Sequence, residues 1–263
     1  MLSYQHLYHA GNMADVHKHA LLAVALDYLT RKDKPLSYLE THAGRGLYFL
    51  DAPEAVKTGE AAEGIARAEA AGWFPADHPY ARRLAQTRAL HGASAYPGSP
   101  LIAAQSLRPG DVAHLAELHP REHEALVAAL APHGLAQVHR EDGVQMALSR
   151  TPPTPRRGLM LVDPSYEVKD DYDAIPRMIL SVHRKWNVGV LMLWYPILPG
   201  GMHVQMVKTL EAAGLPGALR HEVRFGAARE GHRMTGSGMF IVNAPWGLAD
   251  EADRLSGLFK ALR

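Results

Sequence analysis

Asp163-Pro164-Ser165-Tyr166 directly follows the apolar run Gly158-Leu159-Met160-Leu161-Val162, the pattern of a buried strand that ends in a proline-stiffened loop. A carboxylate and a neighbouring carbonyl held on such a loop can accept both N–H bonds of an aromatic amine. Adenine's exocyclic amine needs that help. Its lone pair is delocalised into the ring, and two fixed acceptors localise it towards sp3 character. Proline suits the second acceptor because it lacks an N–H, fixes φ and presents its carbonyl. Tyr166 adds a ring face on which an extruded base stacks. The chemistry that fits is methyl transfer from a sulfonium to N6 of an adenine, with Asp163 and the Pro164 carbonyl as preorganised acceptors. Asp163 need not remove a full proton beforehand, because the product ammonium is acidic. A lone four-residue string occurs in many unrelated chains, so its weight depends on what precedes it.

Three more predicted strand ends carry polar groups: Thr41-His42-Ala43-Gly44, Glu117-Leu118-His119 and Glu141-Asp142-Gly143. Ligands of open α/β sheets bind outside the carboxyl ends of the strands. Acidic residues at successive strand ends, after a glycine-punctuated turn, therefore describe a cleft for a polar nucleoside. Gly44-x-Gly46 lacks the third glycine of the dinucleotide fingerprint, which disfavours NAD. By itself it is equally a tight turn needing φ > 0. Glu117, ending the second strand of the sheet, is suited to accept from both ribose hydroxyls. Asp142, ending the third, either accepts from an adenine amino group or caps the turn before Gly143. His6, His9, His17 and His19 do not make a metal site: zinc wants three or four converging ligands, and residues two apart on a helix face different ways. Trp194-Tyr195-Pro196 reads either as core and turn or as a wall of the cleft.

The elements that must position these groups alternate along the chain. Ala14 to Leu29 reads as an amphipathic helix, and Leu36 to Glu40 as a strand. Strands follow at Asp111 to Leu118, Ala136 to Arg140, Gly158 to Val162, Val188 to Trp194, Leu219 to Phe225 and Gly238 to Asn243. Helices are expected at Pro120 to Leu130, around Ile175 to Trp186, and at His203 to Ala213. This alternation predicts an α/β fold with a doubly wound, mainly parallel sheet. From 52 to 95 the composition shifts to Ala, Glu and Arg with no strand pattern. Residues 1–51 and 96–263 are accordingly assigned to the main domain and 52–95 to a helical insertion.

At 263 residues and 47% hydrophobic, the chain has length enough for one large core. It has no cysteine, which excludes disulfides, thiolate metal sites and cysteine nucleophiles. No signal peptide opens it, and its apolar runs are too short to span a bilayer, so the cytoplasm is expected. A net charge of +1 neither supports nor excludes a nucleic-acid partner. Basic residues do cluster, at Arg31-Lys32-x-Lys34, Arg82-Arg83, Arg156-Arg157, Arg184-Lys185 and from Arg220 to Arg233. Each cluster alone reads as a solvated face; gathered around one mouth they would form a footprint.

Taken in order, the motifs resemble the 23S ribosomal RNA adenine-N6 methyltransferase J family. The strings that carry the resemblance include Tyr4-x-His6-x-x-x-His9-Ala10-Gly11-Asn12-x-Ala14-Asp15-Val16-x-Lys18-His19, Thr41-His42-Ala43-Gly44, Thr58-Gly59-Glu60 and Tyr96-Pro97-Gly98-Ser99-Pro100. Further on, Glu117-Leu118-His119-Pro120, Trp194-Tyr195-Pro196, Met234-Thr235-x-Ser237-Gly238-Met239 and Asn243-x-Pro245-Trp246 also match. The resemblance implies a Rossmann-like class I methyltransferase with a mainly parallel seven-stranded sheet, a small helical insertion and S-adenosylmethionine as cofactor. It implies cofactor contacts at His19, His42, Ser99, Glu117, Asp142, Gly143 and Asp163, with Asp163 also the catalytic acid. Tyr4 falls where the family meets its RNA; His6 and Lys18 line the adenine's entrance, with Pro164 and Tyr166 on the substrate side. Ser165 departs from the family's Asp-Pro-Pro-Tyr; the acceptor carbonyl belongs to Pro164, so activity is expected to survive.

The expected partner is 23S ribosomal RNA, naked or partly assembled, met by a monomer with no membrane, metal or obligate protein partner. Two alternatives remain at this point. A DNA adenine methyltransferase shares the chemistry, but 52–95 is short for a duplex-reading region. A non-catalytic RNA-binding protein on the same fold has little need for both Asp163 and Tyr166.

Overall fold

The computed structural model describes residues 5–226 and 234–262. Its strands are β1 (Ser37–Glu40), β2 (Leu47–Phe49), β3 (Ala95–Pro97), β4 (Val112–Ala116), β5 (Ala136–His139), β6 (Gly158–Val162), β7 (Val190–Ile197), β8 (Leu219–Arg224) and β9 (Gly236–Val242). Seven of these form one sheet in the order β5-β4-β1-β6-β7-β9-β8. β1 is its pivot: Ser37 pairs in parallel with Val112 on one side and with Gly158 on the other. The chain first winds outwards from β1 to β5, then returns to β6, so the order switches between β1 and β6. Only β9 runs against its neighbours β7 and β8. This is the mainly parallel seven-stranded α/β sheet expected of a class I methyltransferase.

The helices are α1 (Met13–Thr30), α2 (Pro53–Thr58), α3 (Arg67–Ala70), α4 (Pro79–His91), α5 (Ser99–Ser106), α6 (Pro120–Leu130), α7 (Gly143–Ser149), α8 (Asp171–Lys185), α9 (His203–Ala212) and α10 (Leu248–Lys260). Alternate residues of each strand feed opposite layers, as a period of two requires. Tyr38, Leu159, Leu161 and Met192 pack with α1, α5 and α10, whereas Leu39, Met160, Val162 and Leu193 pack with α8 and α9. Covered on both faces, β6 is buried along its whole length, and its sequence is accordingly an unbroken apolar run. No helix among the described residues is long and apolar enough to cross a membrane.

α1 departs from the amphipathic reading. It lies between the sheet and α4, α5 and α10, and every residue from Met13 to Ala23 is buried, Asp15, His17, Lys18 and His19 included. These polar side chains are tolerated because each is partnered inside the protein. Its start is set by Asn12, whose side chain accepts from the Asp15 N–H. Residues 52–95 carry α2, α3 and α4, and β2 and β3 pair antiparallel just at the borders, Leu47 opposite Pro97, bringing the two ends of the segment together. At three residues each, these strands are too short for alternation to reveal. α5, α7 and α10 were likewise not anticipated. α8 begins at Asp171, so Pro176 sits in its second turn rather than its first.

Candidate active site

The carboxyl ends of β1, β4 and β6 open onto a cavity of about 290 Å3, at the low end for a small-molecule site. Nine of the predicted residues line it: His6, Lys18, His19, His42, Ser99, Glu117, Asp163, Pro164 and Tyr166. Asp142 and Gly143 are not in its wall. Asp142 Oδ1 accepts from the Gln145 N–H and caps α7, the capping alternative. Gly143 is a packing glycine, since a Cβ there would stand 1.8 Å from the Thr41 carbonyl oxygen. Tyr4 lies outside the described residues.

The centre of the cavity is an ion-paired relay that the sequence only partly announced. Lys18 Nζ lies 2.6 Å from Asp163 Oδ2 and 3.1 Å from Asp15 Oδ1. His6 Nε2 reaches the other oxygen of Asp15 at 2.8 Å, and the Gly11 N–H donates to that same oxygen at 2.9 Å. Burial disfavours the Lys18 ammonium, but Asp163 and Asp15 more than offset it and hold its pKa well above the ordinary lysine range. Burial likewise works against the Asp15 carboxylate, yet His6, Lys18 and His19 keep its pKa well below the usual value. With Oδ2 occupied by Lys18, Asp163 Oδ1 is left to the cavity.

The loop after β6 is held in an uncommon shape. Tyr166 has φ of +56°, a costly conformation for a tyrosine. Packing sustains it: its hydroxyl donates to the Trp194 carbonyl at 2.9 Å, and its ring lies 4.6 Å from that of Tyr172. Trp194, ambiguous in the sequence, is a wall of the cavity. Its indole N–H donates to Ser237 Oγ at 2.9 Å, and Lys18 Nζ stands 5.6 Å from its ring centroid.

The opposite wall belongs to the glycine-rich turn. Gly44 and Gly46 both have positive φ, +62° and +76°, so the turn requires them. Glu117 is braced against it: one carboxylate oxygen accepts from the Gly44 N–H at 2.8 Å and the other from the His119 N–H at 2.7 Å. Burial pushes the Glu117 carboxyl upwards, and these backbone donors work against the rise. His119 Nδ1 is buried on the same wall with no partner among the described residues. An orphaned ring nitrogen beside a braced carboxylate is the donor and acceptor set of a nucleoside site, and it fits S-adenosylmethionine.

A family model described as RsmJ, ribosomal RNA large subunit methyltransferase D, RlmJ, matches residues 33–261. The chain belongs to this family. It is 39% identical over 256 residues to Ribosomal RNA large subunit methyltransferase J of Escherichia coli (strain K12), covering 97% of this chain and 91% of that one. The Haemophilus influenzae protein of the same name is 39% identical over 254 residues, covering 94% and 89%. Among solved structures, a crystal structure of a Legionella pneumophila protein superposes with a TM-score of 0.86 at 33% identity, covering 97% of this chain and 94% of the other.

Within this member of the RlmJ family, several site residues carried no predicted role. Asp15 stands in the opening motif, but its bridging of His6 and Lys18 depends on how α1 meets the Gly11 turn. Glu60, from the 52–95 segment, accepts from the Asn12 amide at 3.2 Å and lies 3.0 Å from His9 Nδ1, fastening the opening motif. Glu40, at the end of β1, accepts from Ser99 at 2.5 Å and from Tyr38 at 2.7 Å. Burial raises the Glu40 carboxyl to about 8. An acidic residue closing an otherwise buried strand beside a glycine-rich turn was the available signal. His17 and His19 do face different ways. His17 bonds Ser237 and His221, whereas His19 Nδ1 lies 3.0 Å from the Tyr96 hydroxyl. Burial lowers the His19 pKa to about 3, so it serves as a neutral imidazole.

Proposed function

We propose that the protein transfers a methyl group from S-adenosylmethionine to N6 of a specific adenine in 23S ribosomal RNA, taken as naked or partly assembled RNA. The observation that carries this reading is the Asp163–Pro164 acceptor pair, whose aspartate is pinned through one oxygen by Lys18 and left open through the other. Glu117, Ser99 and His42, all in the cavity wall, would hold the cofactor. When bound, the cofactor supplies an electrophilic methyl group on a sulfonium.

The residues of the chain then act on the amine. Asp163 Oδ1 and the Pro164 carbonyl accept its two N–H bonds and direct the lone pair towards the methyl group. Because Lys18 neutralises part of the Asp163 charge and fixes its rotamer, little reorganisation accompanies the reaction. Asp163 receives the proton that the methylated amine sheds, and solvent at the mouth removes it. Tyr166 and Trp194 supply the apolar wall against which a base withdrawn from its stack rests. The protein acts as a monomer in the cytoplasm on this reading.

The test is direct. Purified protein, labelled S-adenosylmethionine and protein-free ribosomal RNA are incubated, and the modified base is mapped. One N6-methyladenine in 23S RNA is expected. Label entering DNA but not ribosomal RNA overturns the reading in favour of a DNA enzyme.

A further inference from the structure

Three of the basic clusters, at 31–34, 156–157 and 184–185, are gathered by the fold at one end of the sheet, and it is the end away from the cavity, whereas Arg224 closes β8 at the cavity end. His42, Glu117 and Asp163 follow the carboxyl ends of β1, β4 and β6. Lys32 and Lys34 instead precede β1, Arg156 precedes β6, and Arg184 precedes β7. Because these strands are parallel, their lead-in segments all lie at the opposite, amino-end face.

Hydrogen bonds join the segments into one surface. Arg108, which precedes β4, donates to the Lys32 and Lys34 carbonyls at 2.6 and 3.0 Å. Arg157 reaches the Lys34 carbonyl at 3.2 Å. Arg156 next to it donates to the Lys185 carbonyl at 3.3 Å and to Asn187 at 3.5 Å. Asn243 then donates to the Asn187 and Gly189 carbonyls at 2.9 and 2.8 Å, which brings in the β9–α10 loop and Trp246, 78% exposed.

Asp33 is the exposed carboxylate within the 31–34 cluster, and the other acids near this surface are already paired. Asp111 is occupied by Arg108, and Asp27 by Arg31 and Arg82. Lys32, Lys34, Arg156 and Arg184 are exposed, and no described carboxylate pairs with them. A chain of net charge +1 that concentrates free cations here has a pronounced charge asymmetry. The described lining of the cavity presents no exposed lysine or arginine, since Lys18 there is buried and ion-paired with Asp15 and Asp163. Helix dipoles draw cations such as Arg184 to the end of α8, but they do not account for Arg156, which follows a proline-rich loop.

We propose that this amino-end face is a second RNA-contact surface. Lys32, Lys34, Arg156 and Arg184 take backbone phosphates of the RNA beyond the target adenine, and Trp246 stacks on an unpaired base. The proposal rests on the RNA-modifying reading above and adds a partner surface remote from its chemistry. β6 has five residues, so the two faces are separated by at least about 17 Å along the strands. A short hairpin seated at the mouth does not reach round; a folded ribosomal RNA does.

The test compares the wild type with the triple variant Lys32→Glu/Lys34→Glu/Arg184→Glu, and separately with Trp246→Ala. Substrates are protein-free 23S RNA and a short hairpin carrying the mapped adenine. The substituted side chains have no described partner to lose, so an unchanged Tm and unchanged S-adenosylhomocysteine affinity certify the fold. For the triple variant, KM on 23S RNA rises about tenfold or more at about 0.1 M salt, and the salt dependence flattens by about two to three units of slope. kcat and all hairpin kinetics stay the same. Trp246→Ala raises KM on 23S RNA by about fivefold or more.

An unchanged KM on 23S RNA overturns the proposal. So does a defect seen only on particles already carrying ribosomal proteins, which would make the partner a protein. A wild type that methylates neither RNA overturns the functional reading itself. That result is distinct from an active wild type matched by its variants.

Discussion

The Lys18 ammonium bridges Asp163 Oδ2 and Asp15 Oδ1 at 2.6 and 3.1 Å, so two carboxylates of the cavity share one buried cation. Lys18→Met leaves them facing each other without it. Removing one member of a buried ionic cluster costs about 3–5 kcal/mol. A fall in Tm and a loss of turnover are therefore expected together. Adding Asp15→Asn recovers most of the stability but not the activity. A double variant that methylates normally shows that Lys18 has no part in catalysis.

Asp163→Ala is expected to lower kcat by about a thousandfold while cofactor and RNA affinities stay within several-fold, since binding and chemistry separate here. Single-turnover assays and calorimetry with S-adenosylhomocysteine check both halves. Ser165→Pro, by contrast, leaves activity intact. Ser165 is exposed, and among the described residues its side chain makes only a long 3.5 Å contact with the Glu167 N–H. Normal turnover in Asp163→Ala sinks the catalytic assignment.

Glu117→Gln tests the cofactor wall. The replacement keeps the shape but turns one acceptor into a donor that meets the Gly44 or His119 N–H head-on. Cofactor affinity should fall by about ten- to a hundredfold, on the order of 1.4–2.8 kcal/mol. kcat at saturating cofactor stays within about threefold. Unaltered affinity in calorimetry argues that this carboxylate holds the turn and nothing else.

Glu40 makes stability depend on pH in a direction unusual for a carboxyl group. Burial raises it to about 8, against an ordinary value of 4.5, so the folded protein keeps a proton that the unfolded chain releases. Its contribution is fully present below about 4.5, declines as pH rises towards 8, and is level above that. Chemical denaturation of the wild type and of Glu40→Gln, compared across this range, should show the difference between them shifting against the wild type as pH rises. A difference that is flat or of opposite slope places the proton elsewhere.

Much of this arrangement was legible in the sequence because its signals are local. The run from Gly158 to Val162, buried on both faces, names its own strand, and the proline after it names its own loop. Glu117 and Asp163 were legible because a parallel sheet delivers all its strand ends to one side. Asp142 was open to two readings, and the bond it makes through Oδ1 is the cap of α7. What could not be read depends on contacts distant in sequence. Nothing local in Glu60 shows that it fastens His9 and Asn12, and nothing in Tyr38 or Ser99 shows that they share Glu40. The amphipathic reading of α1 failed for a related reason. Apolar spacing reports which face meets a core, but not that the remaining faces are covered too. The basic clusters were visible singly, and only the direction of the strands shows that those at 31–34, 156–157 and 184–185 share one face.

α1 advances by about 100° with each residue. Asp15, Lys18 and His19 are aimed at the cavity, and His17, between them, is bonded to Ser237 and His221 on another side. Adding or deleting one residue within this stretch would swing every one of those groups away from its mate at once. The rod can therefore change by exchange in place, never by a shift in length.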